Sequence, residues 1–155
     1  MKTIMLHLCS PMHCYGMAKI NGHMQVNLEP TKSAIATIIA RAGGFQRNGA
    51  RIKEIEDSIT IEIKSYELPR FLGDLREKKN PPSITTDCQN FDEPISYIMD
   101  VYFRVWITGE DETIKQYALW LDNPEYILYC GEDSCIPSYP IFLMKENKHI
   151  FNNES

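Results

Sequence analysis

The sequence lacks the marks of secreted proteins, membrane proteins and several large enzyme classes. Its five cysteines form no CxxC pair, and charges and prolines interrupt every apolar run before the roughly 20 residues that cross a bilayer. The first residues carry no apolar core of a secretory signal, and no P-loop, GxGxxG or HExxH motif occurs. We therefore expect a cytoplasmic protein without disulfides, cofactor, metal or catalytic residues, and not an enzyme.

Basic residues are also scarce. The chain has 16 Lys and Arg against 21 Asp and Glu, which gives a formal net charge of -5. Nucleic acid backbones are usually held by clustered cations, so this balance disfavours RNA binding unless the cations gather on one face. The one dense basic run contains Arg76, Lys78 and Lys79, and it predicts either a phosphate contact or a solvated loop.

Apolar periodicity predicts a single domain of residues 1–155 with four strands and two helices. The expected strands are residues 3–9, 58–66, 101–107 and a last one at 127–129 or 141–144, and the expected helices begin at Pro30 and at a cap on Asp111. Pro11 is expected to end the first strand. The order of these strands and helices along the chain is that of an α+β, ferredoxin-like (RRM-like) βαββαβ fold. The RNA-binding aromatic motifs of RRM proteins are absent from the sequence.

Residues 67–94 form a long stretch with several prolines and no sustained period. Loops of this length inside a compact domain are usually functional or disordered. We therefore interpret residues 67–94 as an insertion that forms a contact arm.

Cysteine and histidine residues cluster near the start of the chain and again near its end. Four potential zinc ligands lie within eight residues, but their spacing matches no known finger: His7, Cys9, His13 and Cys14. Cys130 and Cys135 flank a turn-like stretch. We expect packing roles for all of these side chains.

Two segments resemble a known family. Pro30-Thr31-Lys32-Ser33, an aliphatic helix, Gly44 and Gln46-Arg47 are similar to its PT(K/R)SG-aliphatic-G-x-QR segment. The run from Tyr129 to Pro137 is similar to its Tyr-x-Gly-Arg-Arg-Ser-Cys-x-Pro turn. Residues 6–16 and 97–105 match in part. By these motifs the chain resembles a short, diverged member of the Cas-five family (CasD-like, RAMP superfamily), a subunit of type I-E CRISPR Cascade.

The resemblance implies a non-catalytic assembly protein that caps the 5′ handle of the CRISPR RNA and contacts the backbone and large subunits of the complex. Residues 67–94 would be the thumb that reaches a backbone subunit. By the same resemblance, the residues that would contact RNA are Lys32, Ser33, Arg47, Arg76, Lys78 and Lys79. Some type I-C relatives cleave precursor RNA with a Tyr, Lys and His group, which we cannot place in this sequence.

Departures from the family pattern fall on its RNA site. Ile95 stands where the family has an arginine, and Glu132 and Asp133 replace the two arginines of the turn. The two turn replacements change the local charge by about four units, which disfavours phosphate. The chain also ends sooner after the turn than family members do. The expected function is an anti-CRISPR mimic that takes the place of the genuine subunit, and the alternative is a genuine subunit whose RNA contact is doubtful.

Overall fold

One antiparallel sheet, built around its longest strand, organises the chain. The computed structural model describes residues 1–69, 74–87 and 95–152, and gives the backbone alone at residues 18–20, 23–24 and 87. Its elements are β1 (Lys2–His13), β2 (Met17–Ile20), β3 (His23–Val26), α1 (Lys32–Ala42), α2 (Gly49–Ser58), β4 (Thr60–Glu67), β5 (Ser83–Asp87), β6 (Ile95–Gly109) and α3 (Asp111–Asp122), followed by 3-10 turns at Met144–Glu146 and Lys148–Phe151.

The central strand β6 pairs with β1 on one side and with β4 and β5 on the other. Alternate residues of β1 and β6 are buried beneath the helices, as the predicted period of two requires. The core on this face joins Leu6 and Val105 of the sheet to Ile39 of α1 and Ile114 of α3. Burial of these apolar side chains is the main source of stability. The fold is therefore α+β and ferredoxin-like, with the helices on one face.

The first strand does not end at Pro11 as predicted, but continues to His13. Pro11 lies between the pairs Ser10↔Val101 and Met12↔Met99, opposite Asp100, whose φ of 60° departs from strand geometry. Proline has no amide N–H to donate, so it is tolerated where the ladder is already interrupted.

The predicted fourth strand is not formed at residues 127–129 or 141–144. The chain there still runs beside β1, since the His7 amide donates to the Ile141 carbonyl at 2.8 Å and the Ser138 amide donates to the Cys9 carbonyl at 2.7 Å. Pro137 and Pro140 interrupt this segment and cannot donate to a ladder. An irregular segment therefore occupies the place of the fourth strand.

Four of the described helices and strands were not predicted: α2, β5, and the strands β2 and β3, which form a hairpin. Helix α2 buries only Ile55, so no apolar stripe marks it in the sequence. Strand β5 lies inside the predicted insertion of residues 67–94, and the Glu67 amide donates to the Arg76 carbonyl at 2.7 Å, which folds the start of that insertion back onto β4. Residues 70–73 and 88–94 of the insertion lie outside the described part.

The two predicted helices are present, with different starts. The Thr31 hydroxyl caps α1 by accepting the Ala34 amide at 3.0 Å, so Pro30 precedes the cap. Asp111 does not cap α3; it pairs with the amino group of Met1 at 2.9 Å, and the cap position is Glu110 without a side-chain bond. None of the described helices has the length and apolar character needed to cross a membrane.

Candidate functional site

The two segments that carry the family resemblance meet in one pocket of about 230 Å³, called the turn-helix pocket here. It is built where the end of β1, one face of α1 along its length and the turn after Tyr129 converge. Its lining residues are Cys14, Tyr15, Gly16, Thr31, Ser33, Ala34, Thr37, Ile38, Arg41, Tyr129, Gly131 and Glu132. Segments about a hundred residues apart thus form a single site.

The turn is fixed to the end of β1 by main-chain contacts. The Cys14 amide donates to the Cys130 carbonyl at 3.1 Å, and the Cys130 amide donates to the Cys135 carbonyl at 2.9 Å. Gly131 has a φ of +101°, and a Cβ added to it would lie 1.7 Å from the Cys14 carbonyl oxygen. Only glycine fits this close approach with this backbone angle. The glycine of the family motif therefore has a structural reason to be at this position.

The helix side of the pocket presents a polar stripe. Ser33, Thr37 and Arg41 are spaced four residues apart and so lie on one face of α1. Sequence reasoning chose Ser33 and missed Arg41, although this spacing could have revealed it. The Arg41 guanidinium donates through Nε and Nη2 to the Ile127 carbonyl at 3.1 and 2.9 Å, and it lies 5.1 Å from the centroid of the Tyr129 ring.

The turn side of the pocket is anionic. Glu132 lines the pocket, and Asp133 is exposed next to it. Neither carboxylate belongs to any ion pair among the residues that the structure describes. Arg41 is the cation that lines the pocket, and its Nε and Nη2 groups already donate to the Ile127 carbonyl. The geometry therefore gives phosphate little compensation for two nearby negative charges.

Comparison with protein families places residues 3–150 in the family described as "CRISPR-associated protein (Cas_Cas5)". The chain belongs to the Cas-five family. No curated protein matches the sequence. Solved structures do: one is titled "Crystal structure of Cas protein", with a TM-score of 0.69 and 21% identity over 93% of this chain and 64% of that one.

A second similar structure is a chain of a "CRISPR RNA-guided surveillance complex". Its TM-score is 0.63 at 17% identity, over 90% of this Cas-five chain and 62% of the other. The present chain thus spans less than two thirds of the length of both structural relatives. At these identities the likeness establishes a shared fold.

The structure does not bring the six predicted RNA contacts of this Cas-five protein together. Ser33 lines the turn-helix pocket, whereas Lys32 lines a neighbouring pocket of about 440 Å³ with Ile61 and Ile63. Arg47 is exposed beyond the far end of α1, an 11-residue helix about 16 Å long. The remaining predicted contacts are at or near the outer edge of β4: Arg76, Lys78 and Lys79.

Ile95, the third departure from the family pattern, begins β6 and is 39% exposed. Its strand partner is Asp87 in β5, so it lies at the end of the β5–β6 hairpin that is nearest the undescribed residues 88–94. It therefore lies outside the turn-helix pocket and contributes an apolar side chain to the hairpin surface.

The histidines and cysteines near the start of this Cas-five chain have packing and hydrogen-bonding roles. His13 is fully buried, bonds to the Tyr15 hydroxyl at 2.7 Å and the Val101 carbonyl at 3.0 Å, and burial lowers its pKa to about 4. His7 bonds to the Tyr102 hydroxyl and, at 2.7 Å, to Glu146 Oε1. Among the described residues, no three His, Cys, Asp or Glu side chains are arranged to hold a metal ion.

The turn cysteines are buried, as predicted. Cys130 and Cys135 are both inaccessible to solvent and unbridged. Burial raises the pKa of the Cys130 thiol to about 12, so this thiol is protonated at neutral pH and is a poor nucleophile. Their role is to pack beneath the turn. Cys88 lies outside the described residues.

Proposed function

We propose that this Cas-five protein enters a type I CRISPR effector complex in place of the genuine subunit and antagonises interference. The observation that carries the proposal is the turn-helix pocket, in which the turn keeps the glycine, serine and cysteine of the motif that it resembles, while Glu132 and Asp133 stand at the positions of its two arginines. Such a subunit retains the means to dock and loses the means to hold the RNA handle.

The docking half of the proposal is supported by the preserved family fold. The family match extends over residues 3–150, and the backbone follows that of a chain from a CRISPR RNA-guided surveillance complex over 90% of its length. A shared backbone provides the shape that neighbouring subunits would recognise. We expect these partners to be the backbone and large subunits of a type I-E Cascade.

The antagonist half is supported by charge. Phosphate contacts provide much of the affinity of a protein for RNA, and two carboxylates at the contact repel the backbone. Because the Debye length is about 8 Å at physiological ionic strength, more distant cations such as Arg47 would compensate poorly. The handle would therefore be loosely held at this turn, and the complex would be defective. The protein would act as a non-catalytic competitor.

The alternative is a genuine subunit that caps the 5′ handle. It is favoured by the polar stripe of Ser33, Thr37 and Arg41, which keeps a cation and two hydroxyls in the pocket. In that case the handle would be held from the helix side, with Lys32 nearby. The two functions predict different target-DNA binding and interference by the assembled complex.

Reconstitution with purified type I-E components, with and without their own Cas-five subunit, tests the proposal. We expect the protein to co-elute with the complex in size-exclusion chromatography and to compete with the genuine subunit. The resulting complex should hold labelled handle RNA at least tenfold more weakly than the normal complex does. Its affinity for target DNA should fall by at least the same factor. Failure to co-elute would refute docking, and full DNA binding with interference would identify a genuine subunit.

Charge restoration at the turn provides the matched test. The double change Glu132→Arg with Asp133→Arg should strengthen handle retention by the reconstituted complex, because it returns about four units of charge to the turn. The control is Glu54→Arg with Asp57→Arg on α2, which changes the total charge equally at exposed positions outside the pocket. Equal gains from both double variants would show that only total charge matters and would remove the role assigned to the turn.

A further inference from the structure

The outer edge of β4, on the side away from β6, has an open stretch of main chain. Near the end of the strand this edge is occupied, because the Lys78 amide donates to the Ser65 carbonyl at 3.1 Å. Main-chain groups alternate in direction along a strand, so those of Ile61 and Ile63 point to the same side as the Ser65 carbonyl. No described donor or acceptor bonds to them there. Residues 61–63, called the β4 edge here, can therefore accept a further strand.

The pocket of about 440 Å³ that contains Lys32 lies beside the β4 edge. Ile61 and Ile63 form one wall of it and residues 27–32 form the other. Both isoleucines are partly buried, and Leu28 on the facing wall is 43% exposed. In an added strand, the residue opposite an isoleucine has its side chain on the same face of the sheet. Alternate side chains of that strand would therefore enter this pocket, and we expect them to be apolar.

The opposite face of the β4 edge favours a basic residue in the added strand. Glu62 is exposed between the two isoleucines and belongs to no ion pair among the residues that the structure describes. The residue opposite Glu62 would have its Cβ about 5 Å away, so a Lys or Arg side chain there would pair with the carboxylate. The net charge of -5 on the whole chain also attracts a basic segment.

A second copy of this chain fits the β4 edge less well. An antiparallel pairing that uses both isoleucines of each copy sets the two Glu62 side chains opposite each other, and like charges in that position are destabilising. A shift toward the end of the strand would need the Ser65 carbonyl, which already accepts the Lys78 amide. A shift toward its start would need the Ile59 amide, which bonds to the Glu56 carbonyl at 3.5 Å. The edge therefore favours a different, basic chain.

We propose that the β4 edge binds an extended segment of a partner protein in which apolar residues alternate with Lys or Arg. The apolar residues exchange main-chain hydrogen bonds with Ile61 and Ile63 and fill the pocket beside them, and a basic residue between them pairs with Glu62. None of residues 61–63 lines the turn-helix pocket. This interaction is thus additional to the proposed function and does not depend on it.

A labelled peptide of four valines alternating with three lysines tests the proposal in fluorescence anisotropy with the isolated full chain. We expect saturable binding. Methylating two valine amides removes N–H groups that face the β4 edge, and it should weaken binding by about tenfold or more, because each lost hydrogen bond costs about 1 kcal/mol. The matched control is the isomeric peptide methylated at two lysine amides, which point away from the edge. It should bind with nearly the affinity of the unmodified peptide.

Charge reversal on the protein tests the basic preference. Glu62→Lys should weaken binding of the Val/Lys peptide by roughly 2- to 30-fold, because an attractive cross-strand pair becomes a repulsive one. It should strengthen binding of the corresponding Val/Glu peptide. The control is Glu112→Lys on α3, which makes the same charge change at an exposed position outside the pocket and should have a smaller effect on both peptides. Circular dichroism would confirm that both variants are folded.

Amide exchange measured by NMR locates the bound peptide. The amides of Ile61 and Ile63 should exchange fast in the free chain and about tenfold or more slower with saturating Val/Lys peptide, because hydrogen bonding protects an amide from exchange. The Glu62 amide points toward β6 and should be protected in both states.

Several results would overturn the proposal. They include no saturable binding of the Val/Lys peptide, equal weakening by the two methylated isomers, and equal losses in Glu62→Lys and Glu112→Lys, which would indicate a diffuse charge effect. Protection of the Ile61 and Ile63 amides in the free chain would mean that the chain itself covers the edge. Protection that rises with protein concentration alone would assign the edge to a second copy. No effector subunit is present, so these outcomes are distinct from failure of the proposed docking.

Discussion

Replacing Gly131 by alanine tests whether the close approach of the turn to β1 holds the turn-helix pocket together. The new Cβ would lie 1.7 Å from the Cys14 carbonyl oxygen, far inside van der Waals contact, and φ is +101°. The backbone angle alone costs about 1–2 kcal/mol for a residue with a Cβ. Relieving the clash requires a backbone shift that costs about 1–3 kcal/mol. Loss of the hydrogen bond from the Cys14 amide to the Cys130 carbonyl costs about 1 kcal/mol more.

We therefore expect Gly131→Ala to lower the free energy of unfolding by about 3–6 kcal/mol, the sum of these three effects. Gly22→Ala is the matched control, because Gly22 also has a positive φ, +82°, but has no heavy atom within 4 Å of an added Cβ. Gly22→Ala should lower the free energy of unfolding by only about 1–2 kcal/mol, the cost of the backbone angle.

Urea denaturation monitored by circular dichroism measures both variants. The midpoint of Gly131→Ala should fall well below that of Gly22→Ala at an unchanged m-value. In thermal unfolding the difference of about 2–4 kcal/mol corresponds to roughly 4–16 °C for a chain of this length. Equal midpoints for the two variants would refute the reasoning, because the contact with Cys14 would then have no energetic weight.

Two further predictions concern single side chains. Thr31→Ala should destabilise the protein by about 1 kcal/mol in urea denaturation, because the Ala34 amide loses its cap; a loss no larger than that of an exposed Thr60→Ala control would contradict the capping role. The pKa of His13 is lowered to about 4 by burial, so the unfolded chain binds more protons between pH 6.5 and 4. Stability should be complete above about pH 6.5 and fall by up to about 3 kcal/mol toward pH 4, and His13→Gln should show a shallower fall; identical pH profiles for wild type and variant would remove His13 as the cause.

The helices and strands that could be predicted from the sequence are those with one buried and one exposed face. Strand β6 and the helices α1 and α3 each bury apolar side chains at a regular spacing, so this spacing could be recognised in the sequence. Helix α2 buries one residue and gave no signal. The expected fourth strand had apolar residues, but the segment that runs beside β1 contains Pro137 and Pro140, which have no amide N–H to donate to a ladder. The strand through Pro11 depended on the unusual backbone of Asp100, which no local pattern reveals.

The candidate site was predictable in part for a similar reason. Residues on both walls of the turn-helix pocket were found through motif resemblance. Arg41 was missed although its spacing from Ser33 and Thr37 places it on the same helix face, and its contact with a carbonyl 86 residues away could not be predicted from local sequence. The position of Lys64 beside Arg104 could not be predicted for the same reason. Lys64 and Arg104 are neighbours only through the pairing of β4 with β6. Cross-strand neighbours follow from register, and register is set by the whole sheet.

The central position of β6 also has a consequence for how the protein is made. Its first partner, β1, pairs Lys2 with Gly109, and within the described residues β4 joins the sheet through β6. During synthesis, β1, α1, α2 and β4 therefore emerge without the strand that unites them. Pairing over such long sequence separations closes large loops and is slow. The nascent chain should stay open to proteases and chaperones until Gly109 has left the ribosome, and truncation before β6 should abolish folding rather than leave a smaller domain.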